Sequence, residues 1–503
     1  MSKRVMFIEP PFYRLFKDTY SLGKYPLAQG YLSAAVLEGT GWTVQAYNAD
    51  FNTRGDAETF ETSFLAGKGF ENYLAALKQP DAPIWAEVEA AVADFAPDVL
   101  GISCKTQTFA SAVLIAAMAK RANPEILVVI GGPHPTMAGE SVFEAPEIDI
   151  AVIGEGEKTI VALLHALEKG EDPSAVDGIL FRRDGKIERT PPGAFIADLN
   201  ALPFPHASAP TVLRDHGKYP AAAFGYIFAT RGCPYDCRFC GSRNIWSRKV
   251  RYRSPENVVA EIKLLRSLGI EDVRFDDDTF GINKKYIAEL CRLLMEQCPG
   301  IRWNCETVVP LIDDENLSAM KAAGCTSIQI GVESGNDAIL ESIHKKTTIA
   351  RALAAAALIR KHGIRLEAFF MVGHLHETEE TLGDTMRAIR DIQADLVIFS
   401  IFTPYPGTDL FRECEKMGLI GGDYDPSLYN HQSPENCFSI HLDKERFRER
   451  VRQMTEEVDA INAAGLRRMQ KGAHLRAFLD ELRRHGPLAA LGKTLGFLAR
   501  KLR

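Results

Sequence analysis

The chain of 503 residues is 46% hydrophobic and 25% charged with a formal net charge of -7, an ordinary globular composition long enough for about two to four domains. That negative balance excludes a general nucleic-acid binder, which would carry a basic field over its surface. Ten scattered cysteines, three of them within eight residues, fit a reducing compartment and a metal or redox site better than a disulfide framework.

The N-terminus runs from Lys3-Arg4 straight into the strand-like "VMFIEPP", without the pattern of a secretory leader, and no apolar run reaches membrane-spanning length. The expected location is therefore cytoplasmic. Strand patterns follow at "RVMFIEPP" (4–11), "WTVQAYNAD" (42–50), "PDVLGISC" (97–104), "EILVVIGGP" (125–133) and "IDIAVIGEGE" (148–157), with amphipathic helices such as 28–38 and 110–122 between them. Strand, helix, strand at this pitch predicts a parallel, doubly wound sheet, and the glycines and polar residues just after the strands lie where such a sheet binds its ligand. Over 177–210 the character changes. "GILFRRDGKIERT" reads as a hairpin around Asp184-Gly185, and "LPFPHASAP" as a proline-rich connection.

The alternation then resumes with "YIFAT" (226–230), "DVRFDDD" (272–278), "IRWNCETV" (301–308), "SIQIGVESG" (327–335), "RLEAFFMVGH" (365–374) and "DLVIFSIFTPYPGT" (395–408). The first helix of this half has Ser254 as N-cap and Pro255 in its first turn. Val258, Ile262, Leu265 and Leu268 form one apolar face, and Gly269 lies just past the end. Six strand-helix units predict an incomplete parallel barrel with its site at the C-terminal ends of the strands. The fold class is thus α/β: a Rossmann-like domain (1–175), a hairpin and linker (176–215), a partial (β/α)6 barrel (216–440) and an arginine-rich helical region (441–503).

"RGCPYDCRFC" follows the first barrel strand and holds Cys233, Cys237 and Cys240 at C-x3-C-x2-C spacing. A closed zinc site wants four ligands, and the loop offers no histidine. Cys291, Cys298 and Cys305 lie in a helix and a strand beyond it. Three thiolates suit a four-iron cluster with one iron left open; zinc completed from elsewhere and plain buried thiols are the alternatives.

This loop resembles the signature of the radical S-adenosylmethionine (SAM) enzymes. "FDDDTF" (275–280) is similar to their segment for the amino end of SAM, "IGVESG" (330–335) to the ribose segment and "TPYPGT" (403–408) to the adenosine segment. The resemblance implies a 4Fe-4S cluster on the three cysteines and SAM contacts from Phe239, Asp277, Asp278, Glu333, Gly373 and Pro404. Glu333 is a better site candidate than Glu306, and Tyr405 is expected to brace its turn. Where the subfamily commonly shows Gly-Leu-Pro-Gly-Glu-Thr, this chain has "GHLHET" (373–378), so His374 and His376 are expected at the barrel mouth. Cys104, Cys325, Cys414 and Cys437 read as buried thiols.

The N-terminal half resembles the cobalamin-binding domain of one branch of that superfamily, in "EPPF", "GISCKT", "GGPHPT" (131–136) and "IGEGE" (153–157). It carries no G-x-G-x-x-G, no phosphate-loop lysine and no D-x-H-x-x-G. The resemblance implies cobalamin contacts from Lys105, Thr106, Gln107, Thr108, Gly131, Gly132, His134, Gly154 and Glu155. Loop 104–108 would lie under the cobalt, and His134 would act as a tail contact or loop brace. The implied chemistry is reductive SAM cleavage to a 5'-deoxyadenosyl radical and methylation of an unactivated carbon, in a small molecule or a lipid or pigment precursor. Radical cyclisation or rearrangement without methyl transfer, and a sensor or carrier without turnover, remain open. The implied partners are the substrate and an external one-electron reductant of flavodoxin or ferredoxin type, with no nucleic acid. In the tail (486–503), Leu488, Leu491, Leu495, Leu498 and Leu502 form one stripe of a basic helix, which packs on its own domain or contacts a membrane surface.

Overall fold

The computed structural model describes residues 2–17, 19–53, 69–422, 424–433 and 435–485, with side chains of the last helix described to residue 468. The amphipathic tail over 486–503 lies outside the described residues.

Two sheets carry the architecture. The first has seven strands, β1 (Arg4–Glu9), β2 (Thr43–Asn48), β3 (Val99–Ser103), β4 (Leu127–Gly131), β5 (Ile150–Val152), β6 (Ile179–Arg183) and β7 (Lys186–Arg189), in the order β2-β1-β3-β4-β5-β6-β7. Strands β1 to β5 pair in parallel, since helices such as Leu27–Gly39, Phe109–Ala122 and Gly156–Lys169 return the chain each time. Buried aliphatic residues fill both faces of the sheet, as its continuous apolar strands require. The hairpin falls at Asp184-Gly185, whose φ angles of 49° and 77° suit a two-residue turn. It does not belong to a linker. Strand β6 pairs antiparallel with β5, so the hairpin is the edge of the first sheet. "LPFPHASAP" (202–210) likewise runs into an eight-residue helix, Pro205–Val212, opened by Pro205 where no N–H is required.

The second sheet contains β8 (Tyr226–Ile227), β11 (Asp272–Phe275), β12 (Arg302–Val308), β13 (Cys325–Glu333), β14 (Arg365–Val372) and β15 (Leu396–Ile401), all parallel, in the order β15-β14-β13-β12-β11-β8. Strands β8 and β15 do not pair, so the barrel is incomplete. A two-stranded ribbon, β9 (Thr230–Arg231) with β10 (Arg251–Tyr252), flanks the cysteine loop. Ser254 caps the helix Pro255–Ser267 by accepting from the Asn257 N–H. Val258, Ile262 and Leu265 are buried, but Leu268 is exposed: it is the C-cap residue, turned outward just before Gly269. The long helix Lys444–His485 packs Phe447, Val451, Met454 and Val458 into the barrel core.

Candidate active site between the two sheets

The cysteine loop leaves the barrel directly after β9 and is held from three sides. Asp277 is buried and its carboxylate accepts from the Ala229 N–H (3.1 Å), the Thr230 N–H and the Thr230 hydroxyl (2.6 Å). Burial outweighs these bonds and lifts its pKa to about 7. Asp278 accepts more weakly from the Gly232 N–H, at 3.3 Å. Beyond the loop, the Arg238 guanidinium donates to the Ser342 carbonyl and to Glu413, and its N–H to the Ile343 carbonyl. Phe239 packs against the apolar cluster that includes Leu340, Ile343 and Leu410.

The three cysteines are half-buried and share this one loop. Cys233 Sγ lies 3.2 Å from the Thr279 hydroxyl, and Cys240 Sγ accepts from the Ser242 N–H at 3.5 Å. Burial pushes the Cys240 thiol up to about 12, and Cys237 and Cys233 add to that rise, so the thiols feel one another. A positive metal centre is what such a group would need to ionise together. Among the described residues no set of three or more His, Cys, Asp or Glu side chains converges on a metal position, and Cys291, Cys298 and Cys305 are buried in the core apart from the loop. Cys104, Cys325 and Cys414 are buried as expected; Cys437 is only half-buried.

On the facing strands, Glu333 ends β13 with a φ of 71°, unusual for a residue with a Cβ, and its carboxylate meets the Lys345 ammonium at 2.7 Å. Deeper in the barrel Arg274 donates to Glu306 and Gln329, while Gln329 donates to Glu367, so Glu306 belongs to an internal polar layer. Gly373 is buried beneath Phe447 and its N–H is held by Glu377. Pro404 accepts from the Tyr424 hydroxyl through its carbonyl. The Tyr405 carbonyl accepts from Thr408, which closes the turn.

Of the two histidines of "GHLHET", His374 does not reach the mouth: it is 1% exposed beside Phe402, where burial lowers its pKa to about 4, while His376 is exposed near His441. Glu377 explains this, because its side chain turns the backbone of 373–374 onto itself and takes both N–H groups.

A cavity of about 450 Å³ lies at the C-terminal edge of the first sheet and opens on the barrel. Its walls include Glu9, Gly101, Lys105, Gly131, Gly132 and Gly154 from one domain, and Arg231, Trp246, Asp276 and Asp278 from the other. It sits at the C-terminal ends of β1 and β3, between which the strand order reverses. Gly154, at φ +83°, has nothing within 4 Å of where a Cβ would stand. Such a bare backbone edge suits a large, flat cofactor. Thr106, Gln107 and Thr108 are not in the wall. The Thr108 hydroxyl accepts from the Lys105 N–H, and Thr106 meets His134 Nδ1 at 3.1 Å. His134 is buried against Phe109 with its pKa lowered to about 4, so it braces the loop. Lys105 alone of that loop's four candidates faces the cavity, paired with Glu9 at 3.0 Å.

Glu155 also lines the cavity, but its carboxylate is occupied. It receives Arg231 and Arg251, each at 2.7 Å, and the Ile196 N–H at 2.7 Å. Burial would raise its pKa, yet those hydrogen bonds outweigh burial and hold it below the usual value. Glu157 takes the other arm of Arg231 at 2.5 Å, and Phe228 and Trp246 flank that guanidinium. This cross-domain network was not apparent from the sequence, although Arg231 stands only two residues before Cys233. Asp50 was missed too: buried, it accepts from the N–H groups of Phe12, Tyr13 and Arg14 and so folds the "EPPF" loop. Met137 packs across the same interface, where a Cβ on Gly241, next to Cys240, would come within 2.4 Å of its sulfur.

Comparison with known proteins agrees with this geometry. Residues 227–389 match the radical SAM superfamily, and residues 30–164 match the B12 binding domain. An uncharacterised methyltransferase of Pyrococcus horikoshii is 32% identical over 330 residues, covering 65% of this chain and 72% of the relative. The anaerobic magnesium-protoporphyrin IX monomethyl ester cyclase of Rubrivivax gelatinosus is 33% identical over 368 residues, covering 69% of this chain and 63% of the relative. The structure of the radical SAM methyltransferase TsrM from Kitasatospora setae, with cobalamin and an iron-sulfur cluster bound, superposes with a TM-score of 0.64 at 19% identity, covering 83% of this chain and 75% of that one. The chain belongs to the radical SAM superfamily, in the branch with an N-terminal B12-binding domain. It is an enzyme whose cofactors are a 4Fe-4S cluster, SAM and cobalamin.

Proposed function

We propose that this enzyme is a C-methyltransferase that acts on an unactivated carbon of a small molecule. The observation that carries the reading is the shared wall of the cavity: Arg231 and Asp278, which bracket the cysteine loop, also border the space walled by Gly131, Gly132 and Gly154. Cys233, Cys237 and Cys240 hold the cluster in this reading, and Lys105 with the three glycines lies against cobalamin. When bound, these cofactors supply one-electron cleavage of SAM and a transferable methyl group.

The residues of the chain orient and shield. Asp278, which lines the cavity, meets the amino end of SAM in this reading, since Asp277 is committed to β9, and Glu333, Pro404 and Gly373 are assigned to SAM by the family resemblance. Arg231, Glu155 and Glu157 hold the two domains together over the reaction space and exclude water from it. The polar layer of Arg274, Glu306, Gln329 and Glu367 lines the barrel interior below, where it orients a substrate's polar group.

An external one-electron carrier of flavodoxin or ferredoxin type supplies the reductant. Among the described residues no helix is long and apolar enough to cross a membrane. A second reading, oxidative cyclisation without methyl transfer, is favoured by the likeness to the cyclase.

The test is anaerobic incubation of the loaded enzyme with methyl-labelled SAM, a reductant and a small-molecule extract. Label in a product, with S-adenosylhomocysteine and deoxyadenosine formed together, supports methyl transfer. Deoxyadenosine with an unlabelled, oxidised product supports the cyclase reading.

A further inference from the structure

We propose that Lys345 is a positioning residue of the cluster site: its buried ammonium, fixed between Glu333 and the cysteine loop, raises the cluster's reduction potential while Glu333 lowers it. This rests on the reading that Cys233, Cys237 and Cys240 hold the cluster.

The chain brings Lys345 there by a tight turn. After the helix Asp337–Ser342, His344 adopts a φ of 56° and the Lys345 N–H donates to the Leu340 carbonyl at 2.8 Å. That reversal points the side chain inward, where it is only 8% exposed. Its Nζ meets Glu333 at 2.7 Å and stands 6.0 Å from the centre of the Phe239 ring, between Cys237 and Cys240 in sequence. Arg238 ties the loop to the same helix end through the Ser342 and Ile343 carbonyls, so ammonium and thiolates are anchored to one support.

The pair also packs against the bare backbone of Gly331. A Cβ on Gly331 would stand 2.4 Å from the Glu333 carboxylate and 2.7 Å from the Lys345 ammonium. Glu333 keeps a left-handed backbone that only a strong local restraint would hold. Reduction adds one negative charge to the cluster, so a buried cation stabilises the reduced form and a buried anion the oxidised form. A mere packing brace would have no such opposed signs.

The experiment is an anaerobic redox titration of the reconstituted full chain without SAM, followed by electron paramagnetic resonance, with iron counted in every sample. Lys345→Met should lower the reduced-to-oxidised ratio at a fixed potential about tenfold, which is a shift of about 59 mV downward for a one-electron couple. Glu333→Gln should move the potential upward, and Lys345→Arg should restore the wild-type value. Should Lys345→Met fail to load iron, the Glu333→Gln shift decides alone. Iron present with unmoved potentials, or both variants moving in one direction, overturns the inference. A wild-type chain that takes up no iron overturns the reading of the cysteines, and this inference with it.

Discussion

Replacing Arg231 by methionine removes the cation at the centre of the domain interface and leaves most of its volume. Its side chain is 9% exposed, and the carboxylates it serves, Glu155 and Glu157, are 3% and 9% exposed. Breaking a buried pair from one side costs about 3 to 5 kcal/mol, because the partner is left charged and dry. Glu155 keeps Arg251 and the Ile196 N–H, so only Glu157 is orphaned and the low end, about 3 kcal/mol, applies. At about 1.4 kcal/mol per tenfold, the population with parted domains rises more than a hundredfold. Urea unfolding read by fluorescence is the assay, since Trp246 stacks 5.4 Å from the guanidinium and should report the interface. The double variant Arg231→Met with Glu157→Gln should recover much of the loss, because no buried charge is then unpaired. The sign with pH follows from Glu155, whose folded pKa is depressed: its contribution is complete above the unfolded carboxylate pKa and is lost as pH falls through the lower folded value. Stability of Arg231→Met within about 0.5 kcal/mol of wild type at neutral pH, or a double variant as weak as the sum of the singles, would refute the reasoning.

Replacing Asp277 by alanine leaves three donors on Ala229 and Thr230 without their partner, at about 1 to 3 kcal/mol for each buried donor. Iron should therefore be lost together with SAM binding; iron content near normal would show that β9 does not depend on Asp277. Gly131→Val adds a side chain to the cavity wall at a residue without positive φ, with Val152 the only atom within 4 Å of the new Cβ at 3.7 Å. Cobalamin affinity should fall at least tenfold by absorbance titration with iron unchanged, and undiminished affinity would move the cofactor elsewhere. His374 is held neutral by burial, its pKa lowered to about 4, so stability should decline as pH falls from about 6.5 towards 4, by up to about 3 kcal/mol. His374→Leu should remove about that much of the decline in chemical unfolding, with buried His134 keeping its own share; an equal decline in the variant would place its cause in other groups.

The parallel sheets were legible because their strands are short, apolar and punctuated by glycine. The cysteine loop was legible because three thiolates at that spacing have few other uses. Contacts that close over distance were not. Asp277 reads as one acid in a polar turn, and only the pairing of β11 beside β8 shows that it faces the backbone of Ala229 and Thr230. Glu155 stands in a glycine-rich turn where a ligand is expected, and its three partners come from positions 41 to 96 residues away. The hairpin at Asp184-Gly185 had the correct turn chemistry, but the sequence does not say which edge it will join. For His374 the residue type pointed to function, while the packing of Phe402 and the grip of Glu377 on the backbone placed it inside.

The cysteine loop and the cavity beside it serve reductive SAM chemistry in this reading. It is tested most directly by loading the full chain anaerobically with iron, sulfide and cobalamin, reducing it in the presence of SAM, and measuring deoxyadenosine. Deoxyadenosine should require the reductant and disappear when Cys233, Cys237 or Cys240 is replaced by alanine. A chain loaded with four irons that forms none, or formation that survives loss of all three cysteines, would contradict it.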